Sequence, residues 1–223
     1  MAFAGPSFTK NISREGYCTL APSDYLPYFK KKRVGLVVRL NKRNYDENDF
    51  IKNGIKHLEQ VYLDGSCPPM NILQRVLQEF ESVPSNQAFA VHCKAGLGRT
   101  GTCIGAYIMK HYRMTAPEVI SWMRICRPGM VIGPQQQFLQ DIQPVMWQEG
   151  EMMKIGQRVP ITPAAMKTLS RSISQDQTSP DAIDGRPGQA DGLLSRRKPV
   201  PVTPDTTVGA SNRSSPGFFK SNS

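Results

Sequence analysis

The chain has few cysteines, and their spacing shows no pairing. Five cysteines occur in 223 residues, and none follows the regular short spacing that marks a disulfide framework. No secretory signal sequence opens the chain. These absences argue against a small disulfide-rich secreted protein, and we expect a reducing, intracellular compartment in which the thiols stay free.

Long apolar runs are also missing. No stretch approaches the ~20 apolar residues that a bilayer-spanning helix needs, so no membrane span is expected. The net charge is +10, but the basic residues are not interleaved with aromatic ones as in nucleic-acid-binding motifs, and no nucleic-acid partner is expected. The densest basic stretch covers residues 30–33 and continues at Arg39, Lys42 and Arg43. It predicts a basic face at the functional half of the chain that attracts acidic, phosphorylated partners.

The composition changes after about residue 156, where Ser, Thr, Pro, Gly, Gln and Asp dominate and the apolar period is lost. Such a segment cannot bury enough apolar surface to offset its ordering entropy. We therefore predict a folded domain over residues 1–155 and a disordered, basic tail over residues 156–223. A basic cluster at residues 195–199 is either a nuclear-import signal or a solvated charge run. Candidate sites for a proline-directed kinase are Thr162, Ser179, Thr203 and Ser215, each followed by proline.

The most informative segment is His-Cys-Lys-Ala-Gly-Leu-Gly-Arg-Thr-Gly at residues 92–101. It places Cys93 and Arg99 around five mostly small residues at the start of a predicted helix. Backbone N–H groups of such a loop form a nest for a tetrahedral anion, and the helix N-terminus adds positive potential. The same field favours the thiolate of Cys93, so the segment predicts cysteine-based hydrolysis of phosphate esters. The predicted phosphate-binding residues are Lys94, Ala95, Gly96, Leu97, Gly98 and Arg99.

Arg99 is the second chemical element of this segment, because its planar guanidinium can bind two phosphate oxygens at once. The competing interpretation is that Cys93 is an inert thiol at a strand end, followed by an ordinary strand-to-helix turn. That interpretation does not account for Arg99 and Thr100 at these offsets, together with the three glycines of the segment.

Three further side chains could support the chemistry. Asp64, before Gly65 in a loop with two prolines, is the candidate acid that protonates the leaving oxygen, and the alternative is a simple turn residue. His92 either orients the loop through its ring N–H or is an ordinary hydrogen-bonded histidine. Thr100 either stabilises a departing thiolate or caps the helix. No step needs a metal or a cofactor, and none is expected.

The hydrophobic pattern predicts an α/β fold. Helices are expected over residues 23–32 with Ser23 as the cap, over 70–81, and over 135–147 with a kink or early end at Pro144. A capping box of Thr115 and Glu118 opens another helix that ends before Pro128. Strands are expected over residues 34–40, 60–63 and 88–91. Alternating strands and helices predict a mostly parallel sheet with helices on both faces.

Several segments together resemble the cell division cycle 14 phosphatases, a dual-specificity branch of the protein tyrosine phosphatase superfamily. The resemblance rests on the signature at residues 92–102 and covers roughly residues 3–150. It includes four more segments, at residues 38–46, 64–66, 109–115 and 124–138. It implies a protein tyrosine phosphatase-like fold, a phosphocysteine on Cys93, phosphate binding by Arg99 and acid catalysis by Asp64.

The resemblance also implies a role for the glutamine run at residues 135–137, where related phosphatases position the hydrolytic water. Gln135 and Gln137 are the candidates, and exposed helix glutamines are the alternative. Family members carry an additional phosphatase-like domain ahead of this one, which helps to select phosphoserine-proline sites. The chain opens directly at the catalytic segment, so we expect the chemistry to carry over more surely than that selectivity.

The expected function is hydrolysis of phosphoserine, phosphothreonine and phosphotyrosine in proteins, in cell-cycle or cytoskeletal regulation. The expected location is the nucleus, the cytoplasm, or the cytoskeleton and centrosome. Three alternatives remain. A phosphoinositide phosphatase is weakened by apolar Leu97, where the lipid enzymes carry a second lysine. An RNA 5′-triphosphatase shares only the cysteine loop. A non-catalytic phosphoprotein-binding module would not need Cys93, Arg99 and Asp64 together.

Overall fold

The computed structural model of the chain describes residues 1–12 and 18–156. The predictions for residues 156–223, including the disorder, the basic cluster and the kinase sites, concern residues that lie almost entirely outside this part. In the described part, no helix is long and apolar enough to cross a membrane. The elements are β1 (Ala2–Ala4), β2 (Asn11–Ile12), β3 (Cys18–Thr19), α1 (Pro22–Lys31), β4 (Val34–Arg39), α2 (Asn48–Ile51), β5 (Lys56–Glu59), α3 (Met70–Glu81), β6 (Ala88–Cys93), α4 (Gly98–Tyr112), α5 (Ala116–Cys126) and α6 (Pro134–Lys154).

A four-stranded parallel sheet in the order β1-β6-β4-β5 forms the centre of the molecule. Its register aligns Ala4 with Cys93 and Arg39 with both His92 and Glu59. Because parallel strands end at the same edge, the chain segments that follow all four strands meet there. The short hairpin of β2 and β3 pairs separately.

The sheet is covered on both faces, as the sequence predicts. Adjacent residues of β4 point to opposite sides: Val37 belongs to one apolar cluster, and Leu36 and Val38 belong to the other. The first cluster contains Phe29 of α1 and Phe50 of α2. The second contains the buried faces of α3, α4, α5 and α6. Both faces therefore lose water, which is why the inner strands are almost continuously apolar.

Most predicted helices are confirmed. Helix α3 spans Met70–Glu81, as its spacing predicts. At α5, Thr115 Oγ1 accepts from the backbone N–H of Glu118, whose carboxylate accepts from the N–H of Thr115, so the capping box is present. The prediction that Ser23 caps α1 is wrong. The N-cap is Ala21, whose N–H donates to Asp24 Oδ2 at 2.9 Å, and Ser23 lies inside the helix.

Two further predictions need correction. Strand β5 covers Lys56–Glu59 rather than residues 60–63. The N–H of Gln60 still bonds Arg39 O of β4, and beyond it Tyr62 bonds Arg99 instead of the sheet. Helix α6 does not end near Pro144 but continues to Lys154. A proline in a helix interior costs about 3 kcal/mol. Burial of Ile142 and Met146 on either side of Pro144 offsets that cost.

The basic residues predicted to form one face of the functional half do not lie together in the structure. Residues 30–33 are exposed but precede β4, so they lie at the sheet edge opposite the carboxyl ends of the strands. Arg39 is fully buried and pairs with Glu47 and Glu59. Arg43 pairs with Asp46. Lys42 and Arg43 are exposed and follow β4 at its carboxyl end, so only these two residues of the predicted basic run lie exposed at that edge.

A close approach of α6 to α4 generates a stability prediction. A Cβ on Gly150 would lie 1.9 Å from the Lys110 carbonyl oxygen. Glycine to alanine inside a helix usually stabilises by ~0.5–1 kcal/mol, but here we expect Gly150→Ala to lower stability by ~1–3 kcal/mol because the helices must separate. Thermal unfolding followed by circular dichroism measures this. Exposed Gln140 of the same helix provides the control Gln140→Ala, which should change stability little. A raised melting temperature in Gly150→Ala would contradict the packing described.

Candidate active site

The segment between β6 and α4 forms a loop whose carbonyl groups all have donors. The Cys93 carbonyl oxygen lies 3.1 Å from His92 Nδ1, and the Lys94 carbonyl accepts from the backbone N–H of Gly5 at 3.0 Å. The Leu97 carbonyl accepts from the N–H of Gly101, inside α4. Each bond holds a carbonyl dipole in place from outside the loop.

Arg127 holds the remaining two carbonyls. Its Nε donates to Gly96 O and its Nη2 to Ala95 O, both at 3.0 Å. The carbonyls of residues 93–97 are thus all engaged, and we designate residues 93–99 the anion loop. An anion nest requires such carbonyls turned away and held, because its N–H groups must be available to a bound anion.

Gly96 explains why the anion loop needs a residue without a side chain. Its φ is +68°, and a Cβ there would lie 1.9 Å from the carbonyl oxygen of Phe3. Strand β1 therefore passes against the back of the loop. Any other residue at position 96 would be strained by its backbone conformation and would displace β1.

Arg99 lies fully buried at the first turn of α4. Its Nη1 donates to Leu40 O at 3.2 Å and to Tyr62 O at 2.9 Å. Its Nη2 lies 3.1 Å from Asp64 Oδ1. The guanidinium is therefore held by the chain segments that follow β4 and β5, both at the carboxyl edge of the sheet.

Asp64 is brought to the anion loop by this contact, although in the sequence Asp64 and Gly65 gave only a turn signal. Its side chain is 17% exposed, and Gly65, at φ +79°, donates its N–H to Asp64 Oδ1 at 3.0 Å. The turn interpretation and the site interpretation are thus both compatible with the geometry. The carboxylate is placed where it can exchange a proton with a group bound at Arg99.

His92 is buried beside the nucleophile. Burial lowers its pKa from 6.5 to about 3, so the ring is neutral near pH 7. A carbonyl oxygen can only accept, which means that the proton of the neutral ring sits on Nδ1 and is donated to Cys93 O. The ring N–H of His92 thus bonds the first carbonyl of the anion loop, a geometry that is compatible with both of its predicted roles.

Thr100 does not cap α4. The residue at the N-cap is Leu97, without a side-chain bond. The Thr100 hydroxyl is buried and has no hydrogen-bond partner in the part of the chain that the structure describes. A buried hydroxyl without a partner costs free energy, which is consistent with a partner that is present only when the site is occupied.

The glutamine run separates into three different environments. Gln135 is fully buried, and its Nε2 donates to Ser66 O at 3.0 Å. A Cβ on Gly98 would lie 2.8 Å from Gln135 Oε1. Gln135 thus lies between the anion loop and the loop that carries Asp64 and Ser66, which we call the Asp64 loop. Gln136 bonds Arg124, and Gln137 is exposed and bonds Asp141 on its own helix, so neither is brought to the site.

Sequence reasoning assigned no role to Arg127 or Tyr45. Arg127 binds the anion loop from 31 residues away, and Tyr45 Oη lies 2.7 Å from His92 Nε2. Both residues lie in segments that resemble the family, and this resemblance is the sequence signal that could have identified them. In the described residues, no group of three or more His, Cys, Asp or Glu side chains could hold a metal ion.

The chain matches known phosphatases. Residues 21–144 match the family described as "Dual specificity phosphatase, catalytic domain". Dual specificity protein phosphatase CDC14B of Mus musculus is 43% identical over 209 residues, covering 93% of this chain and 41% of the relative. Dual specificity protein phosphatase CDC14A of Homo sapiens is 49% identical over 154 residues, covering 69% of this chain and 25% of the relative. The chain therefore spans about a quarter to two fifths of the length of these relatives.

Solved structures agree on the fold. Kinase associated phosphatase superposes with a TM-score of 0.54 at 15% identity, covering 64% of this chain and 84% of that chain. PTPMT1 superposes with a TM-score of 0.51 at 18% identity, covering 57% of this chain and 88% of that chain. These likenesses confirm the predicted fold class, and the sequence matches confirm the predicted family. The chain belongs to the dual specificity phosphatase catalytic-domain family, and its catalytic region is of the CDC14 type.

Proposed function

We propose that this chain is a dual-specificity protein phosphatase that hydrolyses phosphoserine, phosphothreonine and phosphotyrosine through a phosphocysteine on Cys93. One observation carries the proposal: Cys93 begins a loop whose carbonyls are all held from outside, with the Arg99–Asp64 pair beside it. An anion nest, a bidentate cation and a carboxyl group are the parts that phosphoryl transfer to a thiolate requires.

In the first step, the phosphate dianion binds the N–H groups of the anion loop and the guanidinium of Arg99. The Cys93 sulfur attacks phosphorus, the S–P bond forms, and the P–O bond to the leaving group breaks. Asp64 gives its proton to the departing oxygen. The fixed donors of the loop stabilise the charge on the transferred oxygens without reorganisation.

The Arg99–Asp64 contact keeps the proposed acid beside the proposed phosphate-binding group. Arg99 Nη2 lies 3.1 Å from Asp64 Oδ1. A phosphate dianion bound to the guanidinium therefore lies next to the carboxyl group that we propose to protonate the leaving oxygen.

In the second step, water attacks the phosphorus of the phosphocysteine. The S–P bond breaks, Asp64 accepts a proton from the water, and inorganic phosphate is released. Gln135, between the Asp64 loop and the anion loop, is the glutamine we propose to position the water. The Thr100 hydroxyl donates to the departing thiolate of Cys93, which would give this buried group its partner.

The alternatives have less support. Leu97 is buried and apolar, so the anion loop lacks a second cation at this position for a polyanionic headgroup. A phospho-binding module would not need a carboxylate paired with the phosphate-binding arginine. We further propose substrates in cell-cycle or cytoskeletal regulation, with phosphoserine-proline as the candidate sequence, and the names of the CDC14 relatives support the cell-cycle part. The proposed location is the nucleus, the cytoplasm or the cytoskeleton.

The nucleophile is tested by Cys93→Ser. The serine hydroxyl is not ionised near neutral pH, so turnover of a phosphoserine-proline peptide and a phosphotyrosine peptide should fall by on the order of 10³ or more. Binding of the phosphopeptides, measured by calorimetry, should persist because the N–H donors remain. Exposed Cys126 provides the control Cys126→Ser, which should keep wild-type turnover. A soluble phosphoinositide serves as the competing substrate, and its preferential hydrolysis would contradict the protein-phosphatase assignment.

Arg99→Lys tests the bidentate cation. Lysine keeps the charge but offers a single point donor, so at least one charge-assisted bond worth ~1.5–3 kcal/mol is lost, or about tenfold to a hundredfold in kcat. Arg113→Lys is the matched control, because Arg113 pairs with Glu151 at the exposed end of α4. Steady-state kinetics of both variants with one phosphopeptide give the comparison. Arg99→Lys within about twofold of wild type would assign Arg99 a structural role only.

Asp64→Asn tests the proposed acid by comparing substrates that have poor and good leaving groups. Phosphoserine has a poor leaving group and should lose about 10²-fold or more in turnover, whereas an aryl phosphate with an acidic phenol should lose far less. The basic limb of the pH–rate profile for phosphoserine should flatten. Exposed Asp49 of α2 supplies the control Asp49→Asn. Equal losses on both substrates would show that Asp64 is not the proton donor.

A further inference from the structure

A row of polar groups leads from the surface to the back of the anion loop. Half-buried His57 on β5 places Nε2 2.8 Å from Tyr45 Oη. Tyr45 Oη lies 2.7 Å from His92 Nε2, and His92 Nδ1 lies 3.1 Å from Cys93 O. We call these three side chains the His57–Tyr45–His92 row.

The donor and acceptor of every hydrogen bond in the row follow from the bond to the Cys93 carbonyl. The Cys93 carbonyl only accepts, so the proton of neutral His92 sits on Nδ1 and its Nε2 is an acceptor. Tyr45 must then donate its O–H to His92 Nε2. The Tyr45 oxygen in turn accepts the N–H of His57 Nε2. All three donors point toward Cys93, and such aligned bonds polarise one another.

The surroundings keep both rings neutral. Burial is the main cause that lowers the pKa of His57 to about 4 and that of His92 to about 3. The buried cation of Arg39 on β4, over the Tyr45 ring at 4.9 Å, acts in the same direction. Glu47 and Glu59 pair with Arg39 and weaken its effect on His57. Burial raises the pKa of Tyr45, so its hydroxyl keeps the proton that it donates.

We infer that Tyr45 and His57 are positioning residues for the nucleophile, acting through the tautomer of His92 on the Cys93 carbonyl. The inference rests on the proposed function for its catalytic meaning. The row holds the Cys93 carbonyl outward and directs the positive ends of three aligned dipoles toward the residue that carries the thiolate. It thereby favours the reactive form of Cys93 without touching substrate.

Removing the Tyr45 hydroxyl leaves the Nε2 lone pair of His92 without a donor among the residues that the structure describes. The ring can then move its proton to Nε2, and a lone pair on Nδ1 faces the Cys93 carbonyl. Either outcome loosens the loop at the nucleophile. Phenylalanine keeps the ring contacts of Tyr45 with Phe50 and His92, so the substitution removes the hydrogen bonds and little else.

The first experiment measures alkylation of Cys93 by iodoacetamide against pH, followed on the Cys93 peptide by mass spectrometry. In Tyr45→Phe the midpoint of this curve should rise by about half to one pH unit, because the hydroxyl that links His57 to His92 is lost with both of its hydrogen bonds. Tyr112→Phe, which removes an exposed hydroxyl at the far end of α4, is the matched control and should leave the midpoint unchanged. An unchanged midpoint in folded Tyr45→Phe would overturn the inference.

The second experiment tests His57 with a conservative substitution that restores its N–H and with a double variant that also lacks the Tyr45 hydroxyl. His57→Leu removes the outer donor and should raise the midpoint by a smaller amount, whereas His57→Gln restores an N–H at the same reach and should return it toward wild type. In a Tyr45→Phe background, His57→Leu should add no further shift, because its only route to Cys93 is broken. Additive shifts, or equal effects of leucine and glutamine, would overturn the role of His57.

Alkylation needs no turnover, so the two proposals fail separately. A wild-type chain that hydrolyses no phosphopeptide, but shows the expected midpoint shifts, would overturn the proposed function and keep the row. If the wild-type chain hydrolyses phosphopeptides but none of the variants shifts the alkylation midpoint, the proposed function would stand and the role of the His57–Tyr45–His92 row would be overturned. Thermal melting of each variant confirms that the compared proteins are folded.

Discussion

The buried guanidinium of Arg99 is the constraint on which the site depends. Taking a cation out of water is tolerated only when its donors find acceptors. Leu40 O, Tyr62 O and the Asp64 carboxylate supply them. These acceptors come from the ends of two parallel strands, so the sheet must be in register before the charge can be buried. The proposed phosphate-binding group and the proposed acid are therefore placed together by one desolvation requirement.

The anion loop depends on donors from distant parts of the chain in the same way. Gly5 comes from the segment after β1, His92 from the end of β6, and Arg127 from the end of α5. A loop of small residues has little intrinsic preference for one conformation. Its carbonyls are oriented because each meets a fixed donor, and the field at Cys93 is a product of the whole fold.

Local signals predicted the elements whose causes are local. The period of α3 and the capping box of α5 depend on residues within one or two turns, and both are confirmed. The limits of β5 and the continuation of α6 through Pro144 depend on distant partners. Tyr62 leaves the sheet to bond Arg99, and the buried face of α6 outweighs the cost of its proline. Propensity carries no information about either partner.

At the site, the sequence by itself was enough to predict the chemistry, because a cysteine, five mostly small residues and an arginine at a helix start are typical of cysteine-based phosphatases. It also placed the candidate acid, since Asp64 lies in a turn after a strand. Only the tertiary structure decided which glutamine of three reaches the loop, which arginine holds its carbonyls, and which histidine proton faces Cys93. These are contacts between segments 30 or more residues apart. Such contacts are selected by burial and hydrogen-bond satisfaction in the folded chain, and no local pattern encodes them.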